Sequence, residues 1–206
     1  MKPQIAFRLL VVACILGLSA CGSKVPVYPT LAWTPHAVTV TPQGVTTPTP
    51  TRRAGMPLGE RQMVPAGGYS IQVPVNLDIK INNEQTVVSN QDDSLMIIFG
   101  ITPRKNITQT LKSGLAEFLY NMKTIKSLKS AEAVPVQVNG SEGLAAEVTG
   151  KVLKLKGAGR VTLVEYGQRG FFYVIAFMAD GPEGNRWETE GRKTYEAVLN
   201  ALKFDQ

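Results

Sequence analysis

Residues 171–178 read Phe-Phe-Tyr-Val-Ile-Ala-Phe-Met. Successive side chains of a strand point to opposite faces. Phe171, Tyr173, Ile175 and Phe177 therefore share one face, and Phe172, Val174, Ala176 and Met178 share the other. Both faces are apolar, so this strand belongs at the centre of a sheet that is covered twice. The rest of the fold has to supply those two covers.

Two segments carry the period of a helix. Ile107, Leu111, Leu115, Phe118, Leu119, Met122 and Ile125 recur at steps of three and four, while Lys112, Glu117 and Lys123 lie on the opposite side. Thr108 is the expected cap. Trp187, Gly191, Tyr195, Val198, Leu199 and Leu202 make a second stripe that ends near Phe204. Strands account for much of the rest. Residues 69–73 alternate and stop at Pro74, and Leu77, Ile79 and Ile81 alternate up to Asn82-Asn83. A short strand covers 86–88. Residues 95–101 are almost continuously apolar. Residues 133–138 lead into the tight turn Asn139-Gly140, and 145–155 form a long strand. Lys156-Gly157-Ala158-Gly159 is the predicted hairpin loop before the strand 160–166. The order is strands, helix, four antiparallel strands, helix. It predicts an α+β fold, a three-layer α/β/α sandwich over 67–206, with a mainly antiparallel sheet and helices on both faces.

Several stretches carry a resemblance to a known family. They are Tyr69-Ser70-Ile71-Gln72-Val73-Pro74, Asn139-Gly140, Gly170-Phe171-Phe172-Tyr173-Val174-Ile175, and the closing segment from Leu199 to Phe204. In this order they resemble the PsbP family, named for an extrinsic photosystem II subunit and sharing its fold with the Mog-type Ran-binding proteins. The resemblance spans 67–206. The chain departs from the pattern at Val75-Asn76-Leu77, where an aromatic usually follows the opening proline, and at Lys203, where a small residue is usual. The resemblance implies a PsbP-like domain and an accessory or assembly role on a larger complex. Many bacterial members are lipoproteins. The metal-binding histidines of plant members have no counterpart, because the single His of this chain is His36.

The first twenty residues point the same way. Lys2 and Arg8 give a basic start, and an apolar run follows from Leu9 to Leu18. That run is shorter than the ~20 apolar residues a membrane span needs. Leu18-Ser19-Ala20-Cys21 closes it and resembles a bacterial lipobox. The small residues Ser19 and Ala20 admit the backbone to a peptidase cleft. Cleavage is expected between Ala20 and Cys21, with the Cys21 thiol taking a diacylglyceryl group. Residues 1–20 are thus read as a lipoprotein signal peptide. Cys14 would leave with it, so the mature chain would hold one Cys and no internal disulfide. The expected location is the extracytoplasmic face of a bacterial membrane, held through lipid on Cys21. Gly22, rather than Asp, follows the Cys. That is the default for onward sorting to an outer membrane where there is one.

From 21 to 66 the composition changes. Proline stands at 26, 29, 35, 42, 48, 50, 57 and 65, and Glu60 is the one acidic residue. Proline removes donors and fixes φ, so this stretch reads as a semi-extended tether. As a coil it would span about 35–40 Å, and in polyproline form, at ~3.1 Å per residue, more than 100 Å.

The formal charge is +6, and +4 without Lys2 and Arg8. No dense basic stripe with interleaved aromatics is present, which argues against nucleic acid as a partner. No Gly-x-Ser-x-Gly, phosphate loop, His-Glu-x-x-His or Cys pair occurs. Lys156-Gly157-Ala158-Gly159-Arg160 lacks the Gly-Lys-Ser/Thr ending of a phosphate loop. Asp92-Asp93 reads as a solvated turn. Glu183, Glu188 and Glu190 flank a helix start, where carboxylates oppose the helix dipole favourably. No catalytic residue, metal site or cofactor is expected. Two functions fit. One is a non-catalytic module docking on a membrane or envelope complex through a protein partner. The other is a carrier of a small ligand or lipid, with a pocket between sheet and helix lined by Phe118, Tyr120, Phe172 or Trp187.

Overall fold

The computed structural model describes residues 56–205, except 84, 123–125 and 153–154. Leu18, Ser19, Ala20 and Cys21, and the tether up to residue 55, lie outside the described residues. The strands are β1 (Gln62–Val64), β2 (Tyr69–Ile71), β3 (Leu77–Asn82), β4 (Gln85–Asn90), β5 (Leu95–Thr102), β6 (Lys126–Ser130), β7 (Val134–Val138), β8 (Ser141–Val152), β9 (Leu155–Glu165), β10 (Phe171–Ala179) and β11 (Lys203–Phe204). Helix α1 is Leu111–Asn121, and α2 is Arg192–Ala201, entered through a π-helical turn, Trp187–Gly191.

The main sheet runs β3-β4-β5-β10-β9-β8-β6, with β7 also paired to β8, and its ladders are antiparallel. β10 lies at its centre between β5 and β9, and all nine of its residues are buried. Its two faces feed separate cores. Phe171, Tyr173, Ile175 and Phe177 pack with Leu115, Phe118 and Met122 of the α1 layer. Phe172, Val174, Ala176 and Met178 pack with Trp187, Tyr195, Val198 and Leu202 of the α2 layer. A small sheet, β1-β2-β11, joins α2 in that second layer through Val64, Tyr69, Ile71 and Phe204. The architecture is α+β in three layers, as the two-faced strand requires.

Several boundaries differ from the sequence expectation, each for a local reason. Helix α1 begins at Leu111, not at Ile107, and its cap is Thr110, not Thr108. The Asn106 side chain accepts from the Thr108 N–H at 3.1 Å and from its hydroxyl at 2.8 Å, holding Thr108 in a turn. Thr110 and Ser113 then form a reciprocal capping box. Lys156-Gly157-Ala158-Gly159 is not a loop. Gly157 pairs with Ala179 and Gly159 with Phe177 inside the sheet. A Cβ at Gly159 would run into the Ala176 backbone, so glycine there permits close strand approach rather than a turn.

The folded body also begins before residue 67. Leu58 bridges Pro74, β1 pairs with β2, and Val64 is fully buried, although the prolines of this stretch mark it as tether. Pro57 and Pro65 flank the strand rather than interrupt it. At the other end the last helix stops at Ala201. Leu202 turns extended, and Lys203 and Phe204 pair with Ser70 and Tyr69.

Candidate docking surface

Among the described residues, the protein's own side chains pack both layers beside the sheet. Phe118 lies in the α1 core, and Phe172 and Trp187 lie in the α2 core across the sheet. Tyr120 is on the outer side of α1, 71 % exposed. The four residues expected to line one carrier pocket therefore do not meet. Phe172 instead stacks edge-on with Tyr69 and Phe204, at 4.8 and 5.0 Å between ring centres.

The remaining sequence candidates serve the framework. Asp92 accepts from the Ser94 N–H and hydroxyl and faces Arg186 at 3.5 Å. Burial raises its carboxyl pKa, but those hydrogen bonds and the Arg186 charge outweigh it and hold the pKa below the usual value. Asp93 beside it is a turn residue in the left-handed region at φ 54°, but it is buried rather than solvated. Glu188 and Glu190 fall on the π-helical turn, where they pair with Arg192 and Arg186. Glu183 lies in the exposed turn before that segment.

A semi-buried charged cluster ties this turn to the sheet. Glu147 of β8 accepts from the Trp187 indole N–H at 2.9 Å and from Arg192 at 2.8 Å, and Arg160 approaches at 3.4 Å. The hydrogen bond to Glu188 and the nearby carboxylates raise the Arg192 pKa further, against the opposing effect of burial. Two carboxylates here neutralise two guanidinium groups, so the cluster is a clamp between layers, with its charges spent on one another.

Two open grooves lie on the outer surface among the described residues. One, of about 530 Å³, lies beside Tyr166, Arg169, Phe204 and Asp205. The other, of about 570 Å³, runs between the start of α1 and the β7–β8 hairpin. Thr110, Leu111 and Lys112 form one wall, and Pro135, Val136, Gln137, Glu142, Gly143 and Leu144 form the rest. Its apolar floor and its Lys112 and Glu142 rims match the build of a protein-contact surface.

The loop that leads into this second groove presents Ile107, 96 % exposed. Helical spacing alone places Ile107 in the core stripe. Two signals in the sequence bear on its real position: the Asn106-x-Thr108 turn, and the absence of any carboxylate from 94 to 116.

No family model matches the chain, and no curated protein matches it. Solved structures do. The solution structure of cyanobacterial PsbP (CyanoP) from Synechocystis sp. PCC 6803 is similar at a TM-score of 0.51 and 14 % identity, covering 77 % of this chain and 97 % of that one. The crystal structure of the Saccharomyces cerevisiae Ran-binding protein Mog1p is similar at a TM-score of 0.52 and 12 % identity, covering 74 % and 97 %. At these identities the likeness is one of fold. The domain has a PsbP- and Mog1-like fold.

Proposed function

We propose that this chain is a non-catalytic accessory module, lipid-anchored on the extracytoplasmic face of a bacterial membrane, that docks on a larger membrane or envelope complex. The observation that carries the reading is the packing of the described residues: aromatic side chains occupy both layers beside the sheet, and the open grooves among these residues lie on the outer surface. The groove between α1 and the β7–β8 hairpin is the surface we assign to it. The lipobox around Cys21 supplies the anchor and the proline-rich segment supplies the reach. The fold shared with a PsbP and with a Ran-binding protein is compatible with a binding role. The carrier reading loses its support, because its proposed lining is divided between two cores.

The test is cross-linking in native membranes followed by purification through a tag on Gln206. The expected result is one stoichiometric protein partner, with cross-links at Lys112. Recovery of the protein alone, or with bound lipid in native mass spectra, overturns the reading.

A further inference from the structure

We propose that the loop 103–110 inserts Ile107 into the bilayer to which the domain is tethered, bringing the adjoining α1 groove to the headgroup level. The inference rests on the lipid-anchor reading and adds a second membrane contact to it.

Single exposed apolar residues are ordinary on protein surfaces. Ile107 differs in how firmly its exposure is maintained. Arg104 donates to the Gln109 carbonyl at 3.0 Å, and the Lys105 N–H donates to the Gln109 side-chain carbonyl at 2.8 Å. The Gln109 N–H donates to the Asn106 carbonyl at 3.2 Å, and its side-chain amide donates to Glu117 at 3.1 Å. Arg104 pairs with Glu165 and lies over the Phe171 ring at 4.7 Å. The loop is thereby fixed to β9, β10 and α1 at once. It cannot fold Ile107 back onto the domain without breaking these bonds. A rigid turn that holds one aliphatic side chain wholly in water is pre-organised for insertion.

The surroundings fit a lipid headgroup layer. From 94 to 116 the chain carries Arg104, Lys105 and Lys112 and no carboxylate. Arg104 and Lys105 are neutralised by Glu165 and Glu117, while Lys112 makes no ion pair among the described residues. Its charge complements anionic headgroups, while Glu142 on the opposite rim of the groove opposes it, so the anionic-lipid effect is modest. The N–H groups of Lys105, Thr108 and Gln109 are already bonded within the loop, so leaving bulk water strands none of them.

Magnitude decides what such a contact can do. Burying one Ile favours the inserted state by roughly tenfold to a hundredfold. That is too little to recruit a protein from solution. For a domain tethered to the bilayer the effective concentration there is on the order of millimolar, and the same factor is enough to set its orientation. Between Cys21 and Met56 lies the chain that would provide that tether. A bilayer also requires no matching socket, which a protein partner for Ile107 would have to supply.

The test uses the full chain, lipidated on Cys21, both in native membranes and reconstituted into phosphatidylcholine vesicles with and without phosphatidylglycerol. An environment-sensitive fluorophore is placed at Thr108→Cys, with Ile107 intact or as Ile107→Ser. Thr149→Cys, exposed on β8, serves as the control. The expected result is shielding of the Thr108 label from an aqueous quencher, stronger on anionic vesicles and reduced roughly tenfold by Ile107→Ser, with none at Thr149. A chain that floats with vesicles while both labels quench equally overturns the insertion and leaves the anchor reading standing. A chain that does not float overturns the anchor reading and the insertion together. Shielding found only in native membranes assigns Ile107 to a protein socket and overturns the lipid assignment.

Discussion

Phe172, Val174, Ala176 and Met178 face a layer cross-braced to the sheet by hydrogen bonds, whereas Phe171, Tyr173, Ile175 and Phe177 face a single helix held mainly by apolar contact. On the α2 side, Tyr69 bonds Thr86 at 2.8 Å, Tyr195 bonds Thr162, and the Trp187 indole reaches Glu147. Both ends of the folded body, β1 and β11, also close there. On the α1 side the Gln85 amide donates to the Tyr173 hydroxyl at 2.8 Å, a part-buried bond between two strands of the sheet rather than between the sheet and α1. Directional bonds specify register, and apolar contact tolerates adjustment. The α2 layer is therefore the more cross-braced side, and the α1 side is where the proposed docking groove lies.

The largest expected effect is at Trp187. Its side chain is 1 % exposed and sits 5.9 Å from Tyr195, ring centre to ring centre. Trp187→Ala removes that packing and one of the partners of Glu147. It should cost about 3–5 kcal/mol in urea unfolding, with Phe118→Ala on the α1 side nearer the low end. A larger loss at Phe118 would reverse the assignment of the two layers.

A smaller effect lies in the pH dependence of stability, to which burial of Tyr69 and Tyr173 contributes in the same direction as burial of Tyr195. Burial, opposed by the hydrogen bond with Thr162, pushes the Tyr195 hydroxyl up to about 12. The unfolded value is near 10. The native state therefore holds the proton more tightly. Stability from this group is complete below pH ~10 and is lost as pH rises through the folded value, by roughly 2–3 kcal/mol at the limit. Tyr195→Phe should flatten that alkaline limb while lowering neutral-pH stability by about 1–2 kcal/mol, because Thr162 loses its buried partner. An unchanged alkaline limb would mean that Tyr195 is not the group responsible.

How far the sequence reveals this plan depends on the length of each signal. β10 is nine residues long and apolar on both sides, so its place at the centre follows from alternation alone. The α2 stripe is equally plain, because Trp187, Tyr195 and Val198 all point inward. The two-residue β11 and the three-residue β1 carry no period, and both form because β2 offers them partners from distant parts of the chain. Gly157 and Gly159 look like a turn in one dimension, since the sequence does not show the backbone of β10 lying against them. The proposed docking groove is built from α1 and from a hairpin some twenty residues further on, so no single stretch announces it.

Ile107 shows where periodicity misleads, and it carries the smallest expected effect. It stands four residues before Leu111, at the spacing that would open the core stripe of α1. Were it part of that stripe, Ile107→Ser would cost a buried aliphatic side chain, about 2–5 kcal/mol. The Asn106 turn and the Thr110 cap end the helix before it reaches Ile107, and the side chain stands in water. Exposed substitutions away from caps and networks change stability by no more than about 0.5 kcal/mol. Ile107→Ser should therefore leave the urea midpoint and slope of the isolated chain almost unchanged. A loss above about 1 kcal/mol would show that Ile107 packs against the domain in solution, and the α1 side would then spend its apolar surface on its own core just as the α2 side does. A null result keeps Ile107 available for a contact outside the fold, since a rigid loop that contributes nothing to stability has its side chain free for another surface.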